Sequence, residues 1–268
     1  MKPRRAKLRT RRSAGPDTDW GGVADWYDQL VGEAGSEYHR HVVIPGTLGL
    51  LGVQPGEAAV DIACGQGVLC RALHERGAKV TGIDAAAELI RAARQRGPEE
   101  IDYQVGDARD LSFLPANQFT AAACVLATQN IHPIQPLFTG VARLLKPGGR
   151  FVPVMMHPCF RGPKETSWGW DEWQKVQYRR VDRYLVPRKV PIVTHPGRDA
   201  QQYTWTFHKP IEAYVKALRI AGLLIDAIEE WPSHKTSTSG PRAVAENLAR
   251  KEIPMFMAVR AIKSNLPT

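Results

Sequence analysis

The chain has 268 residues, 43% of them hydrophobic and 24% charged, a globular mix long enough to close one large core. Its formal charge of +9 sits mostly at one end, since residues 1–12 hold seven Lys or Arg and no acid. About +2 remains for the body, which excludes a broad basic face, so nucleic acid is not an expected partner. No run of 18 apolar residues exists, so no membrane span is expected.

Residues 1–16 lack an apolar face and are expected to form a disordered basic tail, with an electrostatic arm for RNA or acidic lipid as the alternative. Arg11 and Arg12 precede polar residues, so no secretory signal is expected. Cys64, Cys70, Cys124 and Cys159 show no metal-ligand spacing. They read as reduced thiols of a cytoplasmic protein, and no metal is expected.

Residues 17–268 read as one domain. Residues 17–50 look helical and loop-like, with Trp20, Trp26, Tyr27 and Tyr38. From Ala58 a regular alternation begins, in which AAVDIAC, AKVTGID, IDYQVGD, QFTAAACVLAT and RFVPVMMH read as strands separated by helical stretches. Apolar strands alternating with helices predict a parallel sheet covered on both faces, an α/β fold. Residues 158–208 break the rhythm and hold four of the seven Trp. Within them YRRVDRYLV and QQYTWTFH have strand composition and are expected to pair as a hairpin. The rhythm returns with a helix ending at Gly222, the strand LLIDAIEEW, a short helix and the strand PMFMAVRAI.

Asp61-Ile62-Ala63-Cys64-Gly65-Gln66-Gly67 lies where the first strand turns into the first helix. Glycines there let a ligand approach the backbone, and the helix N-terminus offers free N–H groups. A dinucleotide fingerprint fails, because Cys70 stands where the third glycine belongs. Asp61 would repel a pyrophosphate but could attract an ammonium, directly or through water. Asp84 ends the second strand and could accept hydrogen bonds from both hydroxyls of a ribose. Asp107 follows the third strand and could accept a bond from an adenine amino group, with Ala108 against the ring. Each Asp alone could equally be a cap or turn residue.

DIACGQG, GID, GDARDL and LLKPGGRF, in this order, resemble the class I S-adenosylmethionine-dependent methyltransferases. The nearest style is the small-molecule group that includes ubiquinone- and menaquinone-biosynthesis enzymes. The resemblance is strong over about a hundred residues and weak through FHKPIEAYVKALRIAGL. It implies a Rossmann-like seven-stranded sheet of order 3-2-1-4-5-7-6, with the last strand antiparallel. It also implies S-adenosyl-L-methionine as cofactor and methyl transfer as activity. By position, Asp61, Ala63, Cys64, Gly65 and Gly67 would line the methionine side. Asp84 and Ala85 would take the ribose, Asp107 and Ala108 the adenine, and Ala127 and Gln129 the floor after the fourth strand. Ala63 stands where glycine is common.

The stretch after the fourth strand lacks the Asn/Asp-Pro-Pro-aromatic pattern of amino-group methyltransferases, which disfavours adenine and glutamine as acceptors. Cys159 follows a proline, but after the fifth strand, and reads as inert. His157 ends the fifth strand, where it could act as a general base or be a hydrogen-bonded structural residue. Residues 17–50 would form a helical lid, with Tyr27 and Tyr38 over the cofactor, and residues 158–208 an inserted cap. Asn130, Arg161, Trp168 and Tyr178 are candidates to face a small-molecule acceptor. Arg161, Arg179, Arg180 and Arg183 could grip an acidic group, but pairing with Asp171, Glu172 and Asp182 is the default. An RNA- or protein-directed enzyme and a non-catalytic cofactor-binding protein are the alternatives. The oligomeric state stays open.

Overall fold

The structure, a computed structural model, describes residues 23–195 and 199–264. The basic segment 1–16 and Trp20 lie outside them. The sheet core is built from β1 (Ala58–Ile62), β2 (Lys79–Asp84), β3 (Asp102–Val105), β4 (Phe119–Val125) and β5 (Leu145–Met156). Helices α3 (Val68–Glu75), α4 (Ala87–Arg96) and α5 (Gln135–Leu144) connect them. Two further strands, β10 (Leu223–Trp231) and β11 (Phe256–Lys263), complete a seven-stranded sheet of order β3-β2-β1-β4-β5-β11-β10.

Strands β1 to β5 run parallel, and β11 is antiparallel to both β5 and β10. This is the expected order 3-2-1-4-5-7-6 once the four strands of the insertion are set aside. The antiparallel last strand agrees with the failed dinucleotide fingerprint, since a dinucleotide-binding sheet would continue parallel.

Strand periodicity splits the core into two layers. Val60 and Ile62 of β1, and Ala122 and Cys124 of β4, pack with Phe138 and Val141 of α5 and with Leu218 of α6 (Ile211–Ile220). Ala59, Ala121 and Ala123 face the other way, towards Leu69 and Leu73 of α3 and Leu48 and Leu51 of α2 (Ile44–Leu51). Asp61 shares the parity of Ala59, which places its carboxylate in the α2–α3 layer.

Before β1, α1 (Ala24–Val31) leads through a π-helical turn (His39–Val43) into α2. Asp28 of α1 is held by Arg96 of α4 through two bonds of 2.5 and 2.7 Å. The insertion after β5 contains two hairpins, β6 (Thr166–Asp171) with β7 (Val176–Val181), and β8 (Arg188–His195) with β9 (Asp199–His208). The expected pairing of YRRVDRYLV with QQYTWTFH is therefore wrong. Each strand pairs with its nearest neighbour in sequence, where loop closure costs least. Asp171 secures the first turn by accepting the backbone N–H groups of Trp173 and Gln174 at 2.9 and 2.8 Å. α7 (Ala243–Glu252) precedes β11. Among the described residues no helix is long and apolar enough to cross a membrane.

Candidate functional site

A cleft of about 790 Å³, its open mouth included, lies across the C-terminal ends of β1, β2, β3 and β4. Its lining includes Tyr27, Ala63, Gly65, Asp84, Ala85, Asp107, Ala108, Ala127 and Asn130. A smaller recess of about 350 Å³ shares Tyr27, Ala63 and Val125 with it and adds His39, Asp61, Cys64 and Gln66. Parallel strands expose their carboxyl ends along one edge, so residues far apart in sequence converge there.

The turn after β1 explains the glycine-rich spacing. Ala63, Gly65 and Gly67 all have positive φ, at 58°, 55° and 82°. Gly65 donates its N–H to Asp84 Oδ2 at 2.9 Å, and Ala86 donates to Asp84 Oδ1 at 2.9 Å. Asp84 is thus fixed at the end of β2, while each oxygen keeps acceptor capacity for a diol. A Cβ at Gly65 would sit 3.3 Å from the Tyr27 ring, so the glycine lets α1 close over the turn.

Asp61 is 2% exposed. Its Oδ2 accepts the Cys70 thiol at 3.5 Å, and its Oδ1 has no partner among the described residues. Burial, with Asp84 adding to it, pushes this carboxyl up to about 7. A buried carboxylate oxygen without a donor beside a recess fits a ligand ammonium. His39 faces the same recess. Its Nδ1 is bound to Ser36 Oγ at 2.8 Å, and burial keeps its pKa below the usual histidine value. Tyr27, above both cavities, has its hydroxyl pKa raised by burial and then by Asp84 and Asp61. The pattern of one acidic group for an ammonium, one for a diol and an apolar slot beyond them matches the parts of S-adenosylmethionine.

Asp107 differs in detail from expectation. It lines the cleft, but Arg109 grips both its oxygens, at 2.6 Å from Nη2 and 3.1 Å from Nε, and holds its pKa low. An adenine amino group would share a carboxylate that is already paired.

Several expected residues are not brought to the cleft. Gly67 packs its backbone against the Tyr103 ring and caps α3. Tyr38 bonds Ser233 at 3.2 Å and packs edge-on against Phe256. Gln129 does not line either cavity and bonds the Leu126 carbonyl at 2.7 Å.

His157 does not fit the role of base. Its Nδ1 accepts N–H groups of Cys159 and Phe160 at 3.2 and 3.3 Å, so Nε2 carries the proton and donates to Glu230 at 2.6 Å. Both nitrogens are committed to fixing the chain as it leaves β5.

Arg161 donates to the Pro254 carbonyl at 3.3 Å and lies 5.1 Å from the centre of the Trp168 ring, with Arg179 at 5.0 Å from the same ring. Tyr178 is exposed beside Gly169. Neither these side chains nor Trp168 line the cleft. Of the arginines, Arg180 follows the pairing default, with Asp182 at 2.8 Å.

The sequence reading missed His39, Gln66, Leu89, Arg109, Val125, Leu126 and Ile131 as lining residues. Gln66 and Leu126 are adjacent to motif residues and could have been included. His39 had no local signal, because a helical turn separated from β1 by a whole helix carries it into the recess.

A family profile described as a methyltransferase domain matches residues 60–152. A ubiquinone biosynthesis O-methyltransferase of Xanthomonas oryzae pv. oryzae is 36% identical over 98 residues, which are 35% of this chain and 41% of that protein. The chain thus spans about two fifths of the length of such relatives. One from Xanthomonas axonopodis pv. citri is 35% identical over 176 residues, 65% of each chain. Among solved structures, an S-adenosylmethionine-dependent methyltransferase from Mesorhizobium loti superposes with a TM-score of 0.68 at 30% identity, covering 86% of this chain and all of that one. By this relative, the matching profile and the shared sheet order, the chain belongs to the S-adenosylmethionine-dependent methyltransferases.

Proposed function

We propose that the protein transfers the methyl group of S-adenosylmethionine to a small-molecule acceptor. The observation that supports this reading is that Tyr27 of α1 lines both the cleft and the recess, and we take α1 as a lid that narrows access to the cofactor end. A narrowed cleft favours a metabolite over a folded macromolecule. The near-neutral body and the small-molecule, oxygen-directed relatives support the same reading.

When bound, the cofactor supplies an electrophilic methyl on a sulfonium. The residues of this chain bind, orient and exclude water. Asp61 would hold the ammonium, and His39, with Ser36 behind its other nitrogen, would donate Nε2–H to the carboxylate of the same amino-acid end. Asp84 would hold the ribose, and Asp107, Ala108 and Arg109 the adenine. Tyr27 would shield the reacting centre, and in-line placement of the acceptor supplies most of the rate. No described side chain near the cleft is assigned as a base. The four cysteines, free among the described residues, fit a reducing compartment, and we place the reaction in the cytoplasm.

The test has two arms. Asp84→Ala should weaken cofactor binding by about 1–3 kcal/mol, since two hydroxyls lose a charged acceptor. Labelled methyl donor, incubated with fractionated extract, should mark compounds of low molecular mass. Label found only in RNA or protein would refute the small-molecule reading and give the basic residues 1–12 a role in binding.

A further inference from the structure

The four carboxylates of residues 158–192 are all committed. Glu165 pairs with Arg188, and Asp182 with Arg180. Glu172 takes Lys175 and Arg242 and accepts the Trp170 indole N–H. Asp171 accepts the backbone N–H groups that close the β6–β7 turn. Glu230, near the end of β10, is bonded to His157. Arg161 and Arg179 are left with no carboxylate partner among the described residues, and their printed-out donors reach only carbonyls and the Thr166 hydroxyl.

The fold nevertheless sets these two guanidinium groups together. Strand pairing places Trp168 of β6 opposite Arg179 of β7, so both side chains leave the same face of the hairpin. Arg179 Nε donates to the Phe160 carbonyl at 2.8 Å, which brings it to the residue before Arg161. Each guanidinium carbon lies within 5.1 Å of the Trp168 ring centre, so the two are at most about 10 Å apart. Nη1 and Nη2 of Arg161 and Nη1 of Arg179 have no acceptor among the described residues. Both residues are half-buried, which lowers both pKa values, and the charge of Arg179 lowers that of Arg161 further. Like charges held close in partial burial repel, and the cost stands until a counter-charge arrives.

We propose that Arg161 and Arg179, held against Trp168, form an oxyanion site for the phosphate group of a small molecule. Guanidinium groups offer forked, charge-assisted bonds that match phosphate and carboxylate oxygens. Two positive charges favour a dianion, so a phosphate should outbind a single carboxylate. Trp168 is 36% exposed, which leaves the place open to solvent. The site begins one turn beyond β5, where Arg161 donates its backbone N–H to the His157 carbonyl at 2.8 Å. It lies outside the cofactor cleft and does not depend on the methyl-transfer reading.

Calorimetry tests it, with inorganic phosphate, phenyl phosphate, benzoate and uncharged phenol titrated into the full chain at pH 8 and low salt, where phosphate is a dianion. Phenyl phosphate should bind at least tenfold more tightly than phenol, with benzoate between them. A phosphate ester as the natural ligand makes phenyl phosphate tighter than inorganic phosphate, and free phosphate as the ligand makes it no tighter. Arg161→Gln and Arg179→Gln should each weaken phenyl phosphate by about tenfold, since each removes a charged fork. Arg180→Gln, on the opposite face of the hairpin and paired with Asp182, should change it less than twofold. All three should leave S-adenosylhomocysteine affinity within twofold, and Arg161→Gln should not lower the melting temperature of the ligand-free protein. Phosphate should also raise the melting temperature of the wild-type protein more than chloride does at equal ionic strength, which needs no variant. The proposal is overturned if phenyl phosphate binds no more tightly than phenol, or if Arg161→Gln and Arg179→Gln both bind it like wild type. It is equally overturned if phenyl phosphate competes with S-adenosylhomocysteine, which would put it in the cofactor cleft.

Discussion

Asp61 ties cofactor affinity to pH. Its carboxyl is pushed up to about 7 in the ligand-free protein by burial and by Asp84, against 3.8 for a free side chain. Only the ionised form can accept the ammonium of S-adenosylmethionine, so binding must expel the proton wherever it is present. The apparent Kd then scales with one plus the ratio of protonated to ionised Asp61. That ratio makes binding about elevenfold weaker at pH 6 than at its plateau, about twofold weaker at pH 7, and nearly unaffected at pH 8. About 0.9 proton should be released per cofactor bound at pH 6, and about 0.1 at pH 8. Titration calorimetry of S-adenosylhomocysteine in two buffers of different ionisation enthalpy measures both quantities. Asp61→Asn should bind more weakly and lose the pH dependence between 6 and 8. The ligand-free fold should show the opposite trend. The folded state holds a proton that the unfolded chain releases above 3.8, so this group's contribution to stability is present at low pH and lost as pH rises through about 7. Wild-type affinity that is flat from pH 6 to 8, with no proton release, would refute the reasoning.

Lys209 is 8% exposed and has its pKa lowered to about 8 by burial, with the Ile131 carbonyl 3.3 Å from Nζ. The unfolded chain binds this proton more tightly, so stability should rise between pH 8 and the normal lysine range near 10.5. Lys209→Met should raise stability at pH 7 by about 1–2 kcal/mol, net of one lost hydrogen bond, and by less near pH 10, as denaturant titrations at the two pH values would show. A gain of equal size at both would contradict the sign. Gly67→Ala combines a left-handed φ of 82° with a Cβ only 2.9 Å from Tyr103 Cζ, and should cost the fold about 2–4 kcal/mol in thermal melts. Gly65→Ala, whose Cβ meets Tyr27 at 3.3 Å, should cost the fold less and cofactor affinity more, so a reversed order would misassign the two glycines.

The sheet and most of the cofactor cleft were legible in the sequence because they rest on local rules. Apolar runs such as AAVDI and FTAAACV are strands buried on both faces, and turn residues separate them from amphipathic helices. Asp61, Ala63, Gly65, Asp84, Asp107 and Ala108 lie at strand ends, and a parallel sheet gathers its strand ends by construction. What failed depended on partners distant in sequence. His157 was open between a base and a structural residue until Glu230, 73 residues later, accepted its Nε2–H. Tyr38 was drawn away by Ser233, and Trp168 by the guanidinium groups of Arg161 and Arg179. His39 entered the recess, and Thr206 met the 128–130 turn, only through packing of helices and hairpins onto the sheet. Periodicity and turn chemistry act over a few residues, and so the sequence by itself determined the strands, the edge where their ends gather and the acidic and glycine residues set along it. Which polar atoms remain unmet beside the cleft depends on every neighbour that folding brings within bonding distance, and only the tertiary structure decided that.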